Sequence, residues 1–406
     1  MDGILFLAHR IPYPPDRGDK IRSWHMLKHL GGLARVHLAC FADDEADAAH
    51  LPALREAMAG SLGEAHVEVR RTGRLKAGLQ ALVSGEPLSL PLFDSPAFRA
   101  FVNPLLASGS VGTVFAFSSQ MAQFVPRGAK PRFVMDFVDM DSAKFAGYAE
   151  EARAPFSWVY RREAAKLFAF ERATAARADV SLFVSESEAG LFRSKAVLPA
   201  ADIRAIQNGV DLDFYDPAAE FPKLESMGGP LIAFTGQMDY LPNIEAVTTF
   251  ARDVLPLIRR QRPDARFAIV GRSPTEGVQR LEQGENVVVT GAVSDIRTWL
   301  AAADVVVAPL RVARGVQNKV LEAMAMARPV VASPAAFEGI EAEPGRDLIV
   351  AKGTRAQADA VLGLLDPQVA EAMGRSARAQ MERAYRWETR LAPLTDILAE
   401  PGRAAA

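Results

Sequence analysis

Residues 305–327 read Val-Val-Val-Ala-Pro-Leu-Arg-Val-Ala-Arg-Gly-Val-Gln-Asn-Lys-Val-Leu-Glu-Ala-Met-Ala-Met-Ala. A short β-branched run, a loop punctuated by Pro and Gly, and an apolar helical pattern follow one another directly, as in a parallel βα unit. The helical part, residues 316–327, is apolar almost all round and is therefore expected between layers. Lys319 and Glu322 nevertheless share one face at i and i+3, and Asn318 and Gly315 continue that stripe toward the N-terminus. On a solvated helix the pair would contribute only ~0.2–0.5 kcal/mol. On a buried helix it needs partners. The stripe reads as facing a cavity, where a Gly-flanked helix start offers N–H groups and a positive dipole end to a phosphate. Lys319 would add charge, and Glu322 would accept hydroxyl hydrogens from a ribose.

The same alternation runs outward through the chain. Strands are expected at residues 4–8, 36–41, 65–69, 113–117, 132–138, 180–184 and 203–206, then at 231–235, 267–270, 287–290, 305–308, 330–332 and 348–350. Helical patterns lie between them, including 19–30, closed by Gly31-Gly32, and 157–177. Two successive βα series predict an α/β protein of two doubly wound domains, 1–210 and 211–385, with a last helix at about 386–400. No internal repeat is visible.

Parallel sheets bind ligands beyond the carboxyl ends of their strands. Gly236, Gly271 with Arg272, and the loop ending at Arg314 and Gly315 all leave that edge in the second series. In the first, strand 4–8 runs into His9 and a proline-stiffened loop through Arg17 to Gly18, longer than most βα connections. Strand 132–138 ends in Asp136, Asp139, Asp141 and Ser142. Carboxylates after a buried strand need hydrogen bonds or a function. Asp139-Met-Asp141 is also a DxD triplet, a weak pattern for a divalent cation, whereas Asp211-Leu-Asp213 after Asn-Gly reads as turn chemistry.

Composition removes several classes. The chain has 406 residues, 49% hydrophobic and 24% charged, and a net charge of −2, which offers nothing to nucleic acid. Cys40 is the single cysteine, so a Cys-rich metal site and an internal disulfide are excluded, and a cytoplasmic setting is expected. All histidines fall in residues 1–66, without a His-Glu-x-x-His pattern. Dinucleotide, P-loop and nucleophile-elbow motifs do not occur. Arg70, Arg71, Arg74 and Lys76 crowd one short stretch, for which a solvated turn and membrane docking are alternatives.

Three further segments carry a resemblance. Thr235-Gly-Gln-Met-Asp-Tyr-Leu-Pro-Asn243, Gly291-Ala-Val293-Ser-Asp295 and Arg314-Gly315 through Glu322-Ala-Met-Ala325 resemble the group 1 (family 4) glycosyltransferases of the GT-B fold. Residues 14–22, Asp139–Ser142 and residues 314–319 are most similar to the sugar transferases of exosortase/PEP-CTERM exopolysaccharide systems.

The resemblance implies two Rossmann-like domains facing a central cleft, the first for the acceptor and the second for a nucleotide-diphosphate sugar. The last helix would cross back to the first domain. Retention of configuration without a metal or other cofactor is implied as well. Gly18, Gly236, Gly271, Arg272, Val293, Arg314, Gly315, Val316, Gln317, Asn318, Lys319 and Glu322 would contact the donor. His9, Arg17, Asp139, Asp141 and Ser142 would serve a lipid-linked or oligosaccharide acceptor, with Asp139 or Asp141 orienting or deprotonating its hydroxyl. Peripheral contact with the inner face of the membrane would follow. The family's usual first Glu is Arg314 here, and its two phosphate-gripping basic positions are Gln237 and Asn243, so Arg314 and Lys319 are expected to supply the displaced charge. A nucleotide-sugar epimerase, a metal-dependent DxD transferase and a non-catalytic sugar-nucleotide binder are the alternatives.

Overall fold

Two parallel sheets organise the computed structural model, which describes residues 3–71, 73, 77, 80–81, 83–224, 228–282, 286–313 and 315–400. The first contains β1 (Gly3–Ala8), β2 (Val36–Ala42), β3 (Leu62–Val69), β4 (Val111–Phe117), β5 (Arg132–Val138), β6 (Val180–Phe183) and β7 (Ile203–Ala205). The second contains β8 (Leu231–Thr235), β9 (Arg266–Val270), β10 (Val287–Gly291), β11 (Val305–Ala308), β12 (Val330–Ala332) and β13 (Ile349–Val350). Their spatial orders, β3-β2-β1-β4-β5-β6-β7 and β10-β9-β8-β11-β12-β13, follow the same winding. In each, the order reverses beside the first strand, at β1/β4 and at β8/β11. A crevice opens there because successive helices leave to opposite faces of the sheet.

The chain divides into two compact units, residues 1–208 with 391–406, and residues 209–390. Each has its own core. In the first, β1 is apolar and fully buried from Ile4 to Ala8, pairing Phe6 with Leu38 on one side and Phe115 on the other. In the second, β8 and β11 are buried throughout and helix Asn318–Ala325 lies against the core through Val320, Leu321 and Met324. Residues 391–400 of the last helix, Trp387–Ala399 and its end, return to the first unit, where Thr395 Oγ1 meets His29 Nε2 at 3.0 Å. Among the described residues, no helix is long and apolar enough to cross a membrane.

Two local expectations are corrected. The helix expected to close at Gly31-Gly32 continues to Leu33. Gly31 is there for contact instead, since a Cβ on it would lie 2.7 Å from Met58 Cε and Ser61 Oγ. The helix expected over 316–327 is confined to Asn318–Ala325. Gly315, at φ 66°, turns the chain in the left-handed region, which leaves Val316 and Gln317 in the approach to the helix rather than inside it.

Candidate functional site

In the second unit the carboxyl ends of β8 and β9 approach so closely that a Cβ on Gly271 would sit 1.7 Å from the Gly236 carbonyl oxygen. Beside them, the start of helix Asn318–Ala325 carries no side-chain cap, so its first N–H groups are available to a ligand. Lys319, one residue into this helix, points back at the β8 edge. Its Nζ donates to Asn243 Oδ1 at 2.6 Å and lies 4.2 Å from the centre of the Phe234 ring. Burial lowers its pKa to about 8, against the opposing pull of Glu322. Asn243 is oriented for this by its own Nδ2, which donates to the Gln237 carbonyl at 2.8 Å.

Glu322 lies one turn further on. Burial raises its pKa, while the facing Tyr215 hydroxyl and the charge of Lys319 act in the other direction. Tyr215 belongs to the turn after β7, held by two arginines. Arg378 donates to the Tyr215 carbonyl at 2.6 Å and to the Ala325 carbonyl at 2.8 Å, joining this turn to the end of the Lys319 helix. Arg297, paired with Asp295, covers the Phe214 ring at 3.8 Å. Asp211 Oδ1 accepts from the Phe214 N–H at 2.9 Å, which is turn chemistry.

The structure thus gathers Gly236, Gly271, Asn318, Lys319 and Glu322 around the β8/β11 edge. Arg272 is on its rim, donating to Gln237 Oε1 at 3.4 Å. Val293 packs beside Leu231, Ala268 and Val270. Gln317 is the N-cap position, its amide donating to the Gly315 carbonyl at 3.1 Å, and Val316 packs against the core. Arg314 lies outside the described residues.

The first unit presents a second constellation at its own carboxyl edge. Val138 closes β5 at φ 69°, a strained position for a β-branched residue, and so redirects the chain at Asp139. Lys144 Nζ bonds Asp139 Oδ2 at 2.8 Å and Asp141 Oδ1 at 3.4 Å, and this pairing holds its pKa well above the ordinary lysine value. The triplet is therefore matched by an internal cation. No group of three or more metal-ligating side chains occurs among the described residues. Ser142 caps onto buried Glu171, donating its hydroxyl at 2.5 Å and its N–H at 3.0 Å; burial lifts the Glu171 pKa to about 7.

Asp136 is structural. It receives Arg22 Nε at 3.0 Å, and the same guanidinium donates to the Ile206 carbonyl and to Asn208 Oδ1, both at 2.8 Å. His9 stacks on Phe117 with its Nε2 3.3 Å from Asp19. Arg17 pairs with Asp43 at 2.7 Å. Gly18 starts helix Gly18–Leu33 and has open space where a Cβ would project. Of the basic stretch near residue 70, Arg70 is bound to Asp43 at 3.1 Å and Arg71 to Glu45 at 3.2 Å, while Arg74 and Lys76 lie outside the described residues.

Sequence reasoning did not find Tyr215, Lys144 or Glu171 as partners. Only the aromatic and acidic character of residues 211–217 marked the turn that carries Tyr215.

Structures covering 98% of the chain share its whole architecture. They include sucrose-phosphate synthase from Thermosynechococcus elongatus (TM-score 0.68, 16% identity, 98% of that chain). Another is HepE of Anabaena, solved with UDP and glucose (TM-score 0.63, 15% identity, all of that chain). The fold is GT-B. Residues 229–367 match the family model for glycosyl transferases, group 1. The GDP-mannose-dependent alpha-(1-6)-phosphatidylinositol monomannoside mannosyltransferase of Mycobacterium tuberculosis (strain CDC 1551 / Oshkosh) is 32% identical over 241 residues. That alignment takes in 54% of this chain and 61% of the relative, so the chain spans about three fifths of the curated relatives it matches. The matched model covers β8 to the helix after β13, which includes the Gly236, Lys319 and Glu322 cluster.

Proposed function

We propose that the protein is a glycosyltransferase that takes a sugar from a nucleotide-diphosphate sugar held by the second unit. The observation that carries this reading is the arrangement of Lys319, Asn243, Glu322 and Tyr215 at the β8/β11 edge. The uncapped helix start and Lys319 suit a diphosphate whose negative charge grows as the sugar departs. Glu322, steadied by Tyr215, suits the two hydroxyls of a ribose. Arg314 is assigned the remaining charge in place of the family's usual Glu.

The first unit is assigned the acceptor, a lipid-linked glycan of exopolysaccharide biosynthesis of the PEP-CTERM-associated kind. Asp139 and Asp141 orient its hydroxyl, and Lys144 keeps their charge balanced. Transfer is read as retaining and independent of metal, and the protein as cytoplasmic and peripheral to the membrane. The matched mannosyltransferases are named for GDP-mannose and a phosphatidylinositol mannoside, which places GDP-sugars and phospholipid-linked acceptors first in any screen.

A thermal-shift panel of UDP-, GDP-, TDP- and ADP-sugars tests the donor assignment. Stabilisation by one base class, lost in Lys319→Ala and Glu322→Gln, is the expected result. A flat panel on folded protein refutes it. With the donor identified, Asp139→Ala/Asp141→Ala is expected to abolish transfer but keep donor binding, and EDTA to leave the rate unchanged.

A further inference from the structure

The first unit contains a cavity of about 970 Å³ bordered by helices Ser89–Leu92, Ser119–Phe124 and Phe156–Arg177. Its volume is in the range of pockets that enclose drug-sized ligands, roughly 300–1,000 Å³. Leu90, Pro91 and Phe170 give it an apolar floor, and Arg99, Arg127 and Lys166 stand around it. These cations are not equivalent. Arg99 is committed, donating to Asp94 Oδ1 at 2.8 Å and to the Gln123 carbonyl at 3.0 Å while covering the Phe124 ring. Arg127 and Lys166 have no ion-pair partner among the described residues.

Outside the cavity lining, and near enough to Arg127 to feel its charge, is a third cation without a carboxylate. Arg177 donates to the carbonyls of Val125 and Ala122, and burial together with the charge of Arg127 disfavours its protonated form. Three cations, Arg99, Arg127 and Lys166, therefore line the cavity with two carboxylates, Asp94 and Glu86, and Asp94 is already matched by Arg99. Arg127 and Lys166 are exposed cations beside an apolar floor, a combination that suits an anion bringing its own apolar body.

We propose that this cavity binds a lipid phosphate, with the phosphate between Arg127 and Lys166 and the first part of the chain over Leu90, Pro91 and Phe170. A phosphate ester presents the acceptor oxygens that a guanidinium and an ammonium bind.

The cavity also has a fixed relation to the acceptor carboxylates. The 3-10 helix Ser119–Phe124 begins where Ser119 Oγ donates to Asp141 Oδ2 at 3.4 Å, and Gln123 near its other end lines the cavity. Four steps at a rise of ~2 Å each separate Ser119 from Gln123 by about 8 Å. A glycan attached to the bound phosphate would thus be delivered toward Asp139 and Asp141. That consequence rests on the transferase reading; binding of the lipid phosphate does not.

Isothermal titration of the full chain with farnesyl phosphate, below its micellar concentration, tests the proposal, with farnesol and inorganic phosphate as controls. Saturable binding to the phosphorylated chain is expected. Each control should bind at least tenfold more weakly, and Arg127→Ala/Lys166→Ala should lose at least tenfold in affinity. Ala169→Trp, which fills the cavity from an exposed helix face, should abolish binding in protein with an unchanged circular dichroism spectrum. Equal binding of farnesol overturns the phosphate contact, and equal binding of inorganic phosphate overturns the lipid. No binding, or binding indifferent to both variants, overturns the site. Sugar-nucleotide thermal shifts on the same variants should be unchanged. A chain that binds farnesyl phosphate but no sugar nucleotide keeps this site and loses the transferase reading; the reverse result does the opposite.

Discussion

The Tyr215 hydroxyl faces Glu322, across a turn and a helix that are far apart in the chain, and it favours the charged carboxylate against the opposing effect of burial. A hydroxyl beside a half-buried carboxylate restricts its orientation and leaves its other lone pairs for a ligand. Tyr215 is therefore a positioning residue for Glu322. Tyr215→Phe removes that hydroxyl from beside a half-buried carboxylate, at a cost of about 0.5–1.5 kcal/mol in unfolding free energy. The donor KM should rise about tenfold with kcat little changed, because the hydroxyl orients a group for a ground-state contact. Denaturant titration and initial rates check both parts; an unchanged KM removes Tyr215 from donor binding.

Lys319 should impose a pH limit. Its pKa of about 8 lies below the ordinary lysine value of 10.5, chiefly through burial. Between those values the unfolded chain holds a proton that the native chain has released, so stability should rise with pH across that window. On the proposed donor assignment, activity should move the other way, since a diphosphate is held by the charged form. kcat/KM is expected to fall as pH passes about 8. Lys319→Arg, which stays charged, should remove that limb from the profile.

Gly271 cannot carry a side chain without separating two strands. Gly271→Ala would place a methyl group 1.7 Å from the Gly236 carbonyl oxygen, which is backbone and cannot rotate away. A loss of about 3 kcal/mol or more is expected, measured by thermal or denaturant unfolding, together with loss of donor binding.

Arg22 belongs to the stretch that suggested a site, yet its side chain is 1% exposed and locked to Asp136, which is 0% exposed. Arg22→Ala should cost about 3–5 kcal/mol because it strands a buried carboxylate. The double substitution Arg22→Met/Asp136→Leu should recover much of that loss. Unfolding curves of the three proteins decide the matter.

Glu171 should give the first unit an acid-side dependence. Burial raises its pKa to about 7, with the Ser142 bonds opposing and the charge of Asp141 adding to the shift. A carboxyl whose native pKa is raised contributes stability in its protonated form, present in full below about 4.5 and lost as pH climbs through 7. Glu171→Gln should flatten stability between those pH values in an unfolding series, and an unaltered slope would exclude Glu171 as its source.

The local pattern alone determined much of this protein. Short, largely apolar runs located β5, β8, β11 and β12 to the residue, the last three with Gly or Pro within two residues of their ends, since a buried parallel strand needs little more than apolar residues and a turn after them. The i, i+3 spacing placed Lys319 and Glu322 on one face for the same short-range reason. Tertiary structure decided what they face. The Lys319 partner, Asn243, is 76 residues away, and Tyr215 is further still from Glu322. No local spacing encodes such pairs, because they exist only once β8 and β11 are neighbours. Nor does the sequence display the shared winding of the two sheets. Their cores accept any apolar residues of suitable size, so the same strand order arises from chains without visible repeats. It is that order which opens a crevice at β8/β11 and makes the half-buried Lys319 and Glu322 a candidate site rather than a liability.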